Sequence, residues 1–150
     1  MEFFVYQRQA NDLYQIRKLK GLYPENYNMI LDCEYWFILH SGKDVIAECS
    51  ACLNFCSWNW LRKITNKPKY DYTISDVLVY QPFRGNDYCS LLLLNVMHWF
   101  AEMHSEELHE LHIKLYTSVC NRSARKAYQK IFGYKGDRYT SRLIYFSTQP

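Results

Sequence analysis

Apolar and polar positions recur along the chain with two periods, and the switches between them mark out its elements. Phe3 to Gln7 is short, apolar and aromatic and predicts a first strand. Asn11 or Asp12 is placed to cap a helix whose apolar positions are Leu13, Ile16 and Leu19, and Gly21 is placed to end it. Pro24 opens a second short helical stretch through Leu31. Glu34 to His40 is rich in aromatic and branched residues and predicts a strand. Ser41-Gly42-Lys43-Asp44 is a hairpin turn, and Val45 to Phe55 is the returning strand. Ser57 to Lys69 keeps no clear period. Tyr70 to Tyr80 is a long β-branched strand, broken by Pro82 and Gly85. Tyr88 to His104 is a strong helix with Leu91, Leu92, Leu94, Val96, Trp99 and Phe100 on a wide apolar surface. Leu111 to Thr117 alternates as a strand, Asn121 to Ile131 is an amphipathic helix ended by Gly133, and Tyr134 onward and Arg142 to Phe146 are two final strands.

The order β-α-α-β-β-β-α-β-α-β-β packs most naturally as a single mixed, mostly antiparallel sheet of six to seven strands flanked by about four helices, an α/β (α+β) fold. The β-α-β units at 70–117 and 111–140 predict that part of the sheet is parallel. The 150 residues fit one domain, 1–150, with no repeat, low-complexity tract or linker. Apolar residues at 49% and only 5 Gly and 4 Pro exclude disordered and collagen-like classes. The 14 Tyr supply large apolar bodies with polar tips, useful in cores and in clefts.

Charge and targeting narrow the partners. A net charge of +3 is too mild by itself to argue for nucleic acid or membrane. Trp58, Trp60, Arg62, Lys63, Lys67 and Lys69 could stack on bases and meet phosphates, but the weak overall charge disfavours a nucleic-acid partner. Apolar stretches such as Leu91–Leu94 are far too short to span a membrane. The run Met1-Glu2-Phe3-Phe4-Val5-Tyr6-Gln7-Arg8 has no basic start and too short an apolar core for a signal peptide, so a cytoplasmic protein with reduced cysteines is expected. Cys49, Cys52 and Cys56 invite a zinc reading, yet side chains three apart on a strand point to opposite faces, and no second C-x-x-C exists. His109 and His112, beside Glu106, Glu107 and Glu110, read as a solvated face. No metal is expected.

Two segments carry chemistry. At 79–90 a strand ends, a loop Gln81-Pro82-Phe83-Arg84-Gly85-Asn86-Asp87 follows, and a helix starts near Tyr88. N–H groups at a helix start attract phosphate, and Arg84 adds a fixed positive charge, so this junction is an anion cradle in principle. In the second segment Asn121 caps a helix and Tyr128 lies two turns on, nearly on the same face.

Together these segments resemble the GNAT superfamily of N-acetyltransferases. That family has an R/Q-x-x-G-x-G/A acetyl-CoA loop after a strand, matched here at Arg84 and Gly85 behind Val77-Leu78-Val79, and a later N-x-x-A-x-x-x-Y-x-x-x-G-F/Y segment. The later segment is matched at Asn121, Ala124, Tyr128, Gly133 and Tyr134, with one extra residue before the glycine. The resemblance implies transfer of an acetyl group from acetyl-CoA to a primary amine on a small-molecule or peptide acceptor. Val77, Leu78 and Val79 would pair their backbone with the pantetheine arm. N–H groups of Arg84, Gly85, Asn86, Asp87, Tyr88 and Cys89 would hold the pyrophosphate. Asn121 would bind near the pantetheine, and Tyr128 would protonate the departing thiolate.

The loop departs from the pattern, since Asp87 stands at the first motif glycine and Cys89 at the second. The Asp87 carboxylate either faces the phosphates, repelling them, or turns outward to cap the helix. A Glu found in some members is Ser75 here. Asp76, Asp71 and Glu48 are the base candidates, beside an ordered water, and the same three could attract a cationic acceptor. The alternative implied by these departures is a catalytically inactive GNAT-like fold acting as a protein-interaction module. A homodimer is also compatible.

Overall fold

The computed structural model describes residues 1–54, 64, 68–117, 126–128, 130–131 and 142–147. The expectations for Cys56, for the Trp58–Lys67 stretch of basic and aromatic residues, and for Asn121, Ala124, Gly133 and Tyr134 lie outside them. The described elements are β1 (Glu2–Gln7), α1 (Leu13–Leu22), α2 (Tyr27–Leu31), β2 (Tyr35–Ser41), β3 (Asp44–Leu53), β4 (Tyr70–Val79), α3 (Tyr88–Met103), β5 (Leu111–Thr117) and β6 (Arg142–Ser147). Short 3₁₀ turns occupy Gln81–Phe83 and Ser105–Glu110.

The strands form one mixed six-stranded sheet in the order β1-β2-β3-β4-β5-β6. β1/β2, β2/β3 and β5/β6 are antiparallel, and β4/β5 is parallel, as the β-α-β reading of 70–117 requires. The chain divides into two compact units, Met1–Cys52 with Ser75–Leu92, and Leu53–Ile74 with Leu93–Pro150. Strand β4 and helix α3 each contribute to both. No helix among the described residues is long and apolar enough to cross a membrane.

In the first unit, Asp12 accepts from the Gln15 backbone N–H at 2.8 Å and caps α1. The Gln15 side chain then accepts from the Gln7 N–H at 2.8 Å, fixing the helix start to the end of β1. Leu19, Leu22 and Ile30 pack with Phe4, Tyr6 and Ile38 in one buried cluster. Each such side chain contributes about 1.5–3 kcal/mol by leaving water. Gly21 does not end α1. The helix runs through it to Leu22, and the Tyr23 N–H closes it on the Leu19 carbonyl at 2.7 Å. One glycine costs only about 1 kcal/mol in a helix, which this burial outweighs.

In the second unit, alternation along β4 and β5 buries Tyr72, Ile74, Leu111, Ile113 and Leu115. Phe100 of α3 stacks on Tyr72 with ring centres 4.2 Å apart, and His104 stacks on Tyr70 at 4.0 Å. The inward face of α3 is Leu92, Leu93, Val96, Met97 and Phe100, while Leu91 and Leu94 are 40% and 53% exposed. The apolar stripe is therefore narrower than the sequence predicts, because the helical period turns residues 91 and 94 away from the 92–96–100 line. The start of β4 is tied to the turn after α3. Lys69 Nζ lies 3.2 Å from Glu107, and the Tyr70 hydroxyl donates to the same carboxylate at 3.2 Å.

Two groups of this cluster make stability sensitive to acid. Burial holds the His104 imidazole below its usual value, and the Lys69 hydrogen bond holds Glu107 below its own. In both cases the unfolded chain binds a proton that the folded one resists, so stability falls as pH falls. The denaturant midpoint is expected to be flat above pH 7 and to decline from about pH 6.5 downward, first through His104 and then, nearer the carboxylate range, through Glu107. Urea titrations from pH 8 to 4 test this. A His104→Phe variant should flatten the upper part of the decline and leave the lower part.

Candidate functional site

Strand β4 holds one residue more than β3 can answer. The Asn54 N–H donates to the Asp71 carbonyl at 2.6 Å, and the Tyr80 N–H donates to the Ile46 carbonyl at 2.9 Å. Eight steps back along β3 thus correspond to nine forward along β4. The extra residue shows at Asp76, whose φ of +55° is left-handed inside a strand. This is a β-bulge, a form often found beside active sites. The β4/β5 ladder runs from Tyr70↔Leu111 to Ile74↔Leu115, ending two residues before it.

Beyond the bulge, Val77, Leu78 and Val79 complete β4, with Leu78 exposed. The strand ends one residue before the expected Tyr80, because Pro82 sets a 3₁₀ turn that Tyr80 opens. The Arg84 Nε donates to the Val79 carbonyl at 2.9 Å and closes the loop on the strand end. The Asn86 amide donates to the Phe83 carbonyl at 3.1 Å. Gly85 and Asp87 have φ of +85° and +61°, so left-handed residues flank Asn86 and curl the chain into α3. The Asp87 carboxylate accepts the Ser90 hydroxyl at 2.7 Å, turned toward its own helix. The Asp87 carbonyl accepts the first helical N–H, from Leu91, at 3.3 Å. Tyr88 and Cys89 are half-buried in the first turn, and burial, with the Asp87 charge behind it, pushes the Cys89 thiol up to about 11.

The strands of each unit carry a polar face and an apolar one. In the first unit Glu48, Ser50 and Cys52 of β3 alternate with buried Ala47, Cys49 and Ala51. Ser50 Oγ donates to the Ser75 carbonyl at 3.2 Å and lies 3.5 Å from the exposed Asp76 carboxylate. A cavity of about 270 Å³ opens on this face, bordered by Cys33, Glu34, Ser50, Cys52 and Ser75. In the second unit Asp71 and Thr73 of β4 and His112 and Lys114 of β5 alternate with the buried apolar set. Cys49 and Cys52 do fall on opposite faces, as alternation requires.

The base candidates occupy three different environments. Asp71 is buried and bound to Lys114 Nζ at 2.7 Å, while its other oxygen has no hydrogen-bond partner among the described residues. Glu48 is buried beneath two phenols. It accepts from the Tyr23 hydroxyl and, at 2.8 Å, from the Tyr80 hydroxyl, and Trp36 Nε1 lies 3.4 Å from the Tyr23 oxygen. Burial pushes both phenols up, with the Glu48 carboxylate adding to the effect: Tyr80 to about 12 and Tyr23 far above its usual value. Asp76 alone of the three is exposed. Sequence reasoning named Glu48 but missed Tyr23 and Tyr80. The abundance of tyrosine was the one available signal. Tyr128 is helical and 5% exposed, and Asn121 lies outside the described residues. Among the described residues, no group of three His, Cys, Asp or Glu could hold a metal.

A model of the acetyltransferase (GNAT) family matches residues 5–134. The chain belongs to this family. No curated protein matches it in sequence. Solved GNAT folds align over nearly the whole length. An aminoglycoside N-acetyltransferase, AAC(6')-Iy in complex with CoA, aligns with a TM-score of 0.54 and 17% identity, over 99% of this chain and 100% of that one. Naa50 from Arabidopsis thaliana, in complex with the bisubstrate analogue CoA-Ac-MVNAL, aligns with a TM-score of 0.58 and 16% identity, over 98% and 99%. The NatB acetyltransferase complex bound to CoA and MES gives 0.58 and 13%, over 99% and 100%. The GNAT loop pattern has glycine where this chain has Asp87, and Asp87 takes a backbone conformation that glycine adopts at no cost.

That conformation dictates what position 87 tolerates. Asp87→Gly loses the Ser90 contact but relieves the left-handed strain, and its stability is expected to change by only a few tenths of a kcal/mol. Asp87→Ala keeps the strain and loses the Ser90 hydrogen bond, and is expected to cost about 1–2 kcal/mol. Chemical denaturation of the two variants side by side checks this ordering.

Proposed function

We propose that this GNAT chain transfers the acetyl group of acetyl-CoA to a primary amine of a small-molecule or peptide acceptor. The observation that carries the reading is the strand–loop–helix junction at 77–89 within a family match of 130 residues. Positive φ at Gly85 and at Asp87, where the glycine letter is lost, supports the reading, since such turns suit backbone N–H groups to an anion. The match crosses both compact units and supports treating residues 1–150 as one domain.

In this reading the backbone of Val77, Leu78 and Val79 lies along the pantetheine arm, with Asn121 beside it. N–H groups from Arg84 to Cys89, through Gly85, Asn86, Asp87 and Tyr88, face the pyrophosphate. The acceptor reaches the polar face of the sheet. Its ammonium gives one proton to a base, for which the exposed Asp76 is the best placed of the three carboxylates. The neutral nitrogen attacks the thioester carbonyl, the C–S bond breaks, and Tyr128 donates its phenolic proton to the leaving thiolate. A second reading, a catalytically silent fold that serves as an interaction module, draws its support from Asp87 and from Ser75.

Binding separates the two readings without an acceptor. Acetyl-CoA or CoA at millimolar concentration is expected to raise the melting temperature, and Arg84→Ala to weaken binding by about 1–3 kcal/mol, the range for charge-assisted hydrogen bonds. Absence of any shift would favour the interaction module. Once an acceptor is identified, Tyr128→Phe should lower kcat on the order of 10²-fold with little change in acetyl-CoA affinity, because it removes one proton and keeps the ring. An unchanged kcat would take Tyr128 out of the mechanism.

A further inference from the structure

Tyr80 joins two parts of the first unit that the sequence keeps apart. Its N–H donates to the Ile46 carbonyl at 2.9 Å, and its hydroxyl donates to Glu48 Oε1 at 2.8 Å. Ile46 and Glu48 both belong to β3. Diagonal neighbours on adjacent strands are about 7–8 Å apart, a span that a tyrosine ring covers. One hydrogen bond fixes where a strand end lies and leaves it free to turn about that bond. The second, at the far end of the ring, fixes its direction.

The chain beyond Tyr80 is closed on itself. The Phe83 N–H donates to the Tyr80 carbonyl at 2.9 Å, the Arg84 N–H to the Gln81 carbonyl at 3.2 Å and Arg84 Nε to the Val79 carbonyl at 2.9 Å. The turn therefore moves as one piece with the residue that opens it. Among the described residues the β4/β5 ladder stops at Ile74↔Leu115, so past the Asp76 bulge β4 leans on β3 through Tyr80.

The carboxylate that receives the phenol is itself fixed. Glu48 is buried, and its second oxygen accepts from the Tyr23 hydroxyl, with Trp36 Nε1 3.4 Å from that phenol oxygen. Burial, then the Glu48 hydrogen bond, push the Tyr80 phenol up to about 12, so it stays a donor at neutral pH.

We propose that Tyr80 is a positioning residue for acyl-CoA, its phenol gripped by Glu48 so that the Gln81–Phe83 turn holds the N–H groups of residues 84–89 in one orientation. The role rests on the acetyltransferase reading above. Tyr80 acts through the loop and takes no part in the bond changes. It keeps several donors aimed in advance, so that the cofactor meets a loop already ordered.

Two matched variants of the full chain test this, read by calorimetric titration with CoA, hydrogen exchange and urea denaturation. Tyr80→Phe and Tyr23→Phe each keep a ring and remove one phenol from Glu48. Both are expected to lower the denaturant midpoint. Only Tyr80→Phe is expected to weaken CoA binding, about tenfold, and to speed exchange of the amides of residues 83–89. Tyr23→Phe should leave both at their wild-type values, a split that a merely structural role of the cluster would not produce. Unchanged CoA affinity or unchanged loop exchange in Tyr80→Phe would overturn the proposal, as would equal losses in the two variants. A wild-type protein that binds no CoA sinks the acetyltransferase reading and this role with it. A wild type that binds CoA with an affinity unmoved by Tyr80→Phe sinks this role alone.

Discussion

Strand β4 cannot keep one register with β3 along its length, because Asp76 takes up a residue that β3 does not answer. A left-handed conformation costs an L-residue of order 1–3 kcal/mol, and Asp is among the few side chains that accept it. Downstream geometry follows from that single insertion. Past it the strand presents Val77 to Val79 and runs straight into the Arg84 loop. The same residue is the exposed carboxylate that the proposed chemistry uses, so backbone strain and reactive group coincide.

A second constraint is the buried Glu48. A carboxylate out of water is costly unless hydrogen-bonded, and here two phenols from distant parts of the sequence satisfy it. Hydrogen bonds to a charged group are worth about 1.5–3 kcal/mol each. Tyr23 belongs to the exit from α1 and Tyr80 to the exit from β4, so the carboxylate fixes both. Its oxygens are engaged by those phenols, which fits an anchor better than a base. Asp71 contrasts with it. Paired to Lys114, it has one oxygen left without a partner among the described residues.

Element types and order were largely legible because long periodic runs such as Tyr88–Met103 and Leu111–Thr117 declare themselves. Their limits were less so. Gly21 passes for a stop, but tertiary burial carries the helix through it. Leu91 and Leu94 count as apolar letters, but the phase of the helix turns them to solvent. The site was legible as a motif at Arg84 and Gly85 and illegible as a network, since Tyr23 and Tyr80 lie 25 and 32 residues from Glu48. At Asp87 the letters raised a question of charge, and the structure shows a question of torsion as well.

The division of the strands into an apolar face and a polar face has an evolutionary consequence. Positions such as Tyr72, Ile113 and Leu115 hold the core, and change there is paid for in stability. Ser50, Cys52, Thr73 and His112 stand on the opposite face and bear little of that load. Mutations can therefore explore new recognition on one side of a strand while the other keeps the chain folded. A sheet built this way can diverge in what it binds far faster than in what it is.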